Sequence, residues 1–199
     1  RTAKVADLHL PLRPGTDGAL ACAVMHVLFR ENLADRDYLA QYTDFPPELE
    51  QHFSARGPDW AAPITGLSVK EITEFAHLYG RTERSFLRLG YGFTRTRNGA
   101  ANMHATTCLP AVTGAWKHRG GGAFFSNGDL YQYDKTLLQG LDALDPAIRV
   151  LDMSRIGPVL TGDKNDLGDG PPVTATIMQN TNPAAVAPES AKVNAGLRR

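Results

Sequence analysis

The residues best placed to do chemistry in this chain sit where glycines meet turns and helix starts. In RPGTDGALAC, Gly15, Thr16 and Asp17 stand just ahead of a long apolar run. A glycine there admits close backbone approach, a hydroxyl can cap a helix, and a carboxylate complements the helix dipole. The same three residues could equally hold something at the helix tip. In LGYGFTR, Gly90 and Gly92 begin a GxGxxG pattern, but Arg95 occupies the third glycine position, so the dinucleotide fingerprint fails. In NTNP, Asn182 before Pro183 is a turn signal at the end of an apolar run. His104 and Cys108 have i, i+4 spacing and could make half a metal site, yet two such residues on one apolar helix read as core. The triple glycine of HRGGG could cradle a phosphate but is given no role. DKNDLGDG hints at a calcium loop, but Leu167 stands where a ligand belongs and no glutamate closes it. The six histidines are scattered, so no catalytic residue and no metal ligand is assigned.

These residues need elements to carry them. DLHLPLR, residues 7–13, alternates apolar and polar and reads as a short strand. Asp17 to Arg30 is apolar nearly all round, as in a buried helix. Asp35 starts a second helix over 36–43, and the Pro- and Gly-rich residues 44–63 read as irregular. Ser68 with Glu71 three residues on makes a capping box for a helix whose face is Val69, Ile72, Phe75, Ala76 and Tyr79, stopped by Gly80. Residues 85–92 read as a strand running into glycines, and 99–116 as a helix bent or interrupted at Pro110. Residues 117–128 read as a glycine-rich loop, 147–153 and 173–179 as strands, 162–172 as a loop and 187–197 as a helix. Strands alternating with helices predict an α/β fold with a mostly parallel sheet.

Composition narrows the classes. At 42% hydrophobic and 21% charged, the chain reads as globular. Lys plus Arg balances Asp plus Glu, so no overall field favours nucleic acid or an anionic membrane. The longest apolar stretch, 19–29, is too short to span a bilayer. Cys22 and Cys108 lie in apolar segments and read as buried reduced thiols. The chain opens on Arg1 without a cap or turn before it and is expected to be a piece of a longer protein, so the absence of a targeting signal says little about compartment.

Six stretches in order, RTAKVADLHLPLRPGTDGAL, HVLFRENLADRDYLAQYT, ITGLSVKEITEFAHLYG, LGYGFTRTRNG, LPAVTGAWKHRGGG and IMQNTNPAAVAPE, resemble the molybdopterin oxidoreductases of the dimethyl sulfoxide reductase type, which include formate dehydrogenases and nitrate reductases. The resemblance implies Rossmann-like parallel-sheet layers with flanking helices. Residues 1–125 would be the latter part of one dinucleotide-binding-like domain and 126–199 the start of its pseudo-symmetric partner. It implies a molybdenum or tungsten ion held by two molybdopterin guanine dinucleotides. Any iron–sulfur cluster and the metal-ligating residue would lie elsewhere in the parent.

The resemblance also carries residue roles. Gly15, Thr16 and Asp17 match a loop that touches the guanine, whose N1–H and N2 amino group a carboxylate can accept together. Tyr91 and Arg95 match pterin-facing positions; Arg95 replaces a common glutamine and is suited to a pyrophosphate or a pterin carbonyl. Asn182 matches a strand-end contact to the second dinucleotide. The implied partners are the remaining domains of the parent and electron-transfer subunits, with no nucleic acid and no membrane insertion. The parent would transfer electrons or an oxygen atom on a small substrate, and this chain alone would be inactive and metal-free. The alternative is a non-catalytic relative, like the large subunit of respiratory complex I, that keeps the fold without the cofactor.

Overall fold

The computed structural model describes residues 2–44, 47–126, 128 and 131–199. The chain divides into unit 1, residues 1–132, and unit 2, residues 133–199. Asn127, Asp129 and Leu130, beside the expected boundary at 125/126, lie outside the described residues, as do Phe45 and Pro46 of the stretch expected to be irregular.

Unit 1 is built around α1, Asp17–Arg30. Its apolar residues have no polar face to offer, so the helix is enclosed, with Val24, Val27 and Leu28 fully buried. One side of α1 joins a core with Leu39, Phe53, Ala76, Tyr79, Leu109 and Val112. Ala23, on another side, joins Ala61, Leu67 and Ile72. The helices supplying these partners are α2 (Arg36–Tyr42), α3 (Pro47–Ser54), α4 (Pro58–Thr65), α5 (Val69–Gly80) and, beyond the strand β1 (Phe86–Arg88) and the short α6 (Tyr91–Thr94), α7 (Gly99–Val112). The strand β2 (Gly122–Phe124) pairs with β1 in parallel, Leu87 opposite Ala123. Two parallel neighbours need a crossover, and α6 and α7 supply it.

Local signals held. The Asp35 carboxylate accepts from the Tyr38 amide at 2.9 Å at the start of α2. At α5, Ser68 Oγ accepts from the Glu71 amide at 3.2 Å, and Glu71 Oε2 accepts from the Ser68 amide at 2.8 Å. Val69 departs from its expected face and is exposed. Gly80 is the last residue of α5, and what requires glycine there is packing: a Cβ would stand 2.5 Å from Leu28 Cδ2.

The sheet expectation is corrected. Among the described residues the sheet has two strands, so the fold is helix-rich with one small parallel pair. Residues 7–13 form no strand: Pro11 removes a ladder donor, and the Arg13 amide bonds instead to Thr65 O at 2.8 Å. Residues 147–153 and 173–179 pair with nothing either; a β-type pattern marks fitness for a half-covered pleat, and Ile177 is 99% exposed. Residues 47–54 and 58–65 are helical; Pro58 is accommodated in the first turn of α4, where a missing amide costs nothing. The helix expected over 99–116 runs through Pro110 to Val112 and is followed by a 3-10 turn at Ala115–Lys117.

Unit 2 has shorter elements: α8 (Thr136–Gln139), α9 (Ile156–Thr161), α10 (Lys164–Leu167) inside the expected loop, α11 (Pro183–Val186) and α12 (Ser190–Leu197). Its buried apolar side chains include Val159, Leu167 and Val193. Among the described residues, no helix is long and apolar enough to cross a membrane.

Candidate functional site

The turn before α1 is anchored from both sides. Gly15 has φ +83°, a value that favours glycine. The Arg13 guanidinium donates to the carbonyls of Pro63 and Ile64, tying the turn to α4. Thr16 occupies the N-cap position but does not cap: its hydroxyl donates back to Arg13 O at 2.6 Å. Its backbone, at φ −109° and ψ 11°, lies outside the extended region from which a cap side chain reaches the second or third amide. The amide of Gly18 is satisfied instead by Asn102 Oδ1, 3.0 Å away on α7. A Cβ at Gly18 would stand 2.8 Å from that oxygen, so the pairing requires glycine.

Asp17, in the first turn of α1, is half-buried. It lines a cleft of about 240 Å³ with Leu20, Phe75, Leu87, Arg88 and Gly90. Burial pushes its carboxyl above the usual value, and its own backbone amide offsets part of that rise. Among the described residues no cationic side chain pairs with it. Arg88 shares the cleft, but its guanidinium donates to the carbonyls of Leu89, Phe124 and Phe125, which locks the end of β1 to the chain leaving β2.

Past β1 the chain turns into α6. Tyr91 and Arg95 come together there, the guanidinium 5.9 Å from the Tyr91 ring centre. The Tyr91 ring also packs against Phe125 at 4.7 Å, and its hydroxyl donates to Ser126 Oγ at 3.3 Å. Gly90 and Gly92 both lack a positive φ, and a Cβ on either would meet nothing within 4 Å. Neither the backbone nor the packing of this chain requires glycine at these two positions. Both are exposed, and Gly90 also lines the Asp17 cleft.

Gly15, Thr16 and Asp17 therefore lie beside the segment that carries Tyr91 and Arg95. Asn98 Nδ2 donates to Gly15 O at 2.9 Å and joins the two. Asn182 belongs to unit 2. It precedes α11 as N-cap without a side-chain cap bond, and the residues before it form no paired strand. Sequence reasoning missed Asn98, Asn102 and Arg88. The Asn98/Asn102 spacing of four was the one available signal for the first two.

The remaining motifs resolve as structure. His104 is exposed, which corrects its reading as core, because α7 turns that face outward. Cys22 and Cys108 are free and half-buried against the unit 1 core, and burial raises both thiols. Asp163 and Asp166 of the calcium-like stretch serve as a helix cap and an ion-pair partner. Among the described residues no three His, Cys, Asp or Glu cluster as metal ligands.

A family model described as molybdopterin oxidoreductase matches residues 1–193. The chain is 40% identical to probable oxidoreductase YoaE of Bacillus subtilis over 200 residues, covering 100% of this chain and 28% of that protein. It is 34% identical to the alpha subunit of F420-dependent formate dehydrogenase 1 of Methanococcus maripaludis over 113 residues, 57% of this chain and 17% of that one. Among solved structures it resembles acetylene hydratase from Pelobacter acetylenicus with a TM-score of 0.55 and 27% identity, covering 58% of this chain and 16% of that one. The chain thus spans under a third of the length of these relatives. With formate dehydrogenases and dimethyl sulfoxide reductases among its relatives, it belongs to the molybdopterin oxidoreductase family.

Proposed function

We propose that this chain supplies part of the binding surface for a molybdenum- or tungsten-bearing pterin guanine dinucleotide in a larger oxidoreductase. Its Gly15–Asp17 loop takes the guanine, Tyr91 and Arg95 take the pterin or its pyrophosphate, and Asn182 takes the second dinucleotide. When bound, the cofactor supplies the metal that exchanges electrons or an oxygen atom with a small substrate. The protein groups bind and orient it. Unit 1 is the latter part of one dinucleotide-binding-like domain and unit 2 the start of its counterpart. The metal ligand, any iron–sulfur cluster and the contacts to electron-transfer subunits belong to the rest of the parent.

One observation carries this reading: a half-buried carboxylate, with no cationic partner among the described residues, opens on a cleft lined by Gly90, a glycine that the fold itself does not require. A purely structural relative has no use for that arrangement. Guanine supplies what Asp17 lacks, two adjacent N–H donors.

The test is Asp17→Asn in the full-length protein. Asparagine turns one donor toward a guanine donor, and charge-assisted bonds are lost, so guanine nucleotide released on denaturation falls by more than about tenfold. In the cofactor-free protein the sign is different. Folding raises the Asp17 pKa above its ordinary 3.8, so the folded state holds the proton more tightly. Stability from this group is greatest below 3.8 and declines as pH rises through 3.8 to the folded value. Wild type therefore gains on Asp17→Asn as pH falls from about 6 to about 3.5. Full nucleotide content in a destabilised variant would return Asp17 to a helix start.

A further inference from the structure

We infer that Asn98 and Asn102 are positioning residues that hold the Gly15–Gly18 loop in its ligand-ready form against the Gly90–Thr96 segment. This rests on the reading of that loop as a dinucleotide contact. The two asparagines bracket Asp17: Asn98 Nδ2 donates to Gly15 O at 2.9 Å, and the Gly18 amide donates to Asn102 Oδ1 at 3.0 Å. They are joined to each other, Asn98 Nδ2 to Asn102 Oδ1 at 3.3 Å. Thr96 ties both back to the strand-end segment: its hydroxyl donates to Asn98 Oδ1 at 3.2 Å and accepts from Asn102 Nδ2 at 3.4 Å.

Asn102 is 2% exposed, on a helix that packs Leu109 and Val112 into the core it shares with α1. A buried amide costs stability unless it is hydrogen-bonded, and a leucine there would pack α7 on α1 without that demand. What the amide adds is a fixed geometry for a loop containing a left-handed glycine. Ordering the loop beforehand lowers the entropic cost when the ligand arrives. The clamp also fixes the distance between the guanine loop and the open glycines, which a ligand bridging both requires.

The experiment compares Asn98→Ala, Asp17→Asn and the double variant in the full-length holoenzyme, reading guanine nucleotide retained after dialysis and the melting temperature of the cofactor-free protein. Asn98 is exposed, so its loss leaves the fold intact. Asn98→Ala lowers retention roughly three- to tenfold with the cofactor-free melting temperature unchanged. The double variant loses no more than Asp17→Asn alone, because a loop that no longer grips guanine gains nothing from being preset. Full retention in Asn98→Ala beside depletion in Asp17→Asn overturns the positioning role and leaves the guanine reading standing. Full retention in both overturns the guanine reading and the inference together. Losses that multiply in the double variant overturn it too, since Asn98 would then act apart from the loop. For Asn102, Asn102→Asp keeps the oxygen that receives the Gly18 amide and retains nucleotide better than Asn102→Ala; equal losses would overturn its assignment.

Discussion

Unit 1 buries large side chains against one another, whereas unit 2 brings backbones together. In unit 1, Met25, Leu28 and Ile72 are fully buried, and α1 is enclosed by helices on several sides. In unit 2 the main contact is α9 against α12. A Cβ at Gly196 would stand 2.4 Å from Leu160 Cβ, and one at Gly157 would stand 3.0 Å from Lys192 Cβ. Meanwhile Leu137, Val150 and Ile177 are 95%, 92% and 99% exposed. Burial of apolar area scales with side-chain size, so the close approaches at these two glycines add little to the burial of Val159, Leu167 and Val193. Unit 1 has an extensive core; unit 2 has a small one, with Val159, Leu167 and Val193 buried, and many exposed large apolar side chains.

The widest gap should appear on truncating a leucine in each. Leu28→Ala leaves a cavity in an enclosed core and costs about 2–5 kcal/mol. Leu137→Ala changes a solvated side chain and stays within about 0.5 kcal/mol. Both tryptophans, Trp60 and Trp116, lie in unit 1, so urea unfolding followed by tryptophan fluorescence reads the first directly. Hydrogen exchange over 131–144 reads the second. Comparable losses would erase the distinction between the units.

The same contrast explains what the sequence made legible. Signals that act within one turn were readable: the Ser68–Glu71 box, the Asp35 cap and the apolar sweep of α1 all operate over a few residues. Signals whose partner is distant in sequence were not. Thr16 has a good cap side chain, but the Gly18 amide it should satisfy donates instead to Asn102 Oδ1, 84 residues beyond Gly18. The strand Gly122–Phe124 hides in glycines because its reason for existing is Phe86–Arg88. In unit 2, residues 173–179 have a strand's pattern and no strand beside them. At the site, Tyr91 and Arg95 were singled out by the resemblance alone, on a stretch that read as strand and is the short helix α6 with its C-cap, whereas the Asn98–Asn102 clamp shows only once α7 lies against α1.

A smaller effect follows from the glycine contact. Gly196→Ala gains helix propensity of roughly 1 kcal/mol but drives a methyl into Leu160, an overpacking worth about 1–3 kcal/mol. The net result is faster hydrogen exchange in α9 and α12, with the tryptophan-monitored transition of unit 1 unmoved. If the variant protects α12 instead, the close approach is slack and unit 2 packs more like unit 1 than described.

The smallest effect concerns the charges around that contact. Arg155 donates to Asp166 through two bonds, at 2.9 and 3.0 Å, and reaches Glu189 at 3.4 Å, while Lys192 donates to Glu189 at 2.7 Å. The bond from Arg155 holds the Asp166 carboxyl below its ordinary 3.8, and that from Lys192 lowers Glu189. A depressed folded pKa means stability present above the unfolded value and lost as pH falls through the folded one. Asp166→Asn therefore speeds exchange in α9 and α10 at neutral pH, by no more than about threefold for a pair whose arginine is 45% exposed. High salt shrinks the difference by screening the wild-type pair. Acid shrinks it as well: below the folded pKa the wild-type carboxyl is protonated and resembles the amide. After correction for intrinsic exchange, the two proteins should converge as pH falls below about 3.8. A difference that survives both acid and salt would mean that Asp166 holds unit 2 by shape, and that its charges contribute as little as its exposed leucines.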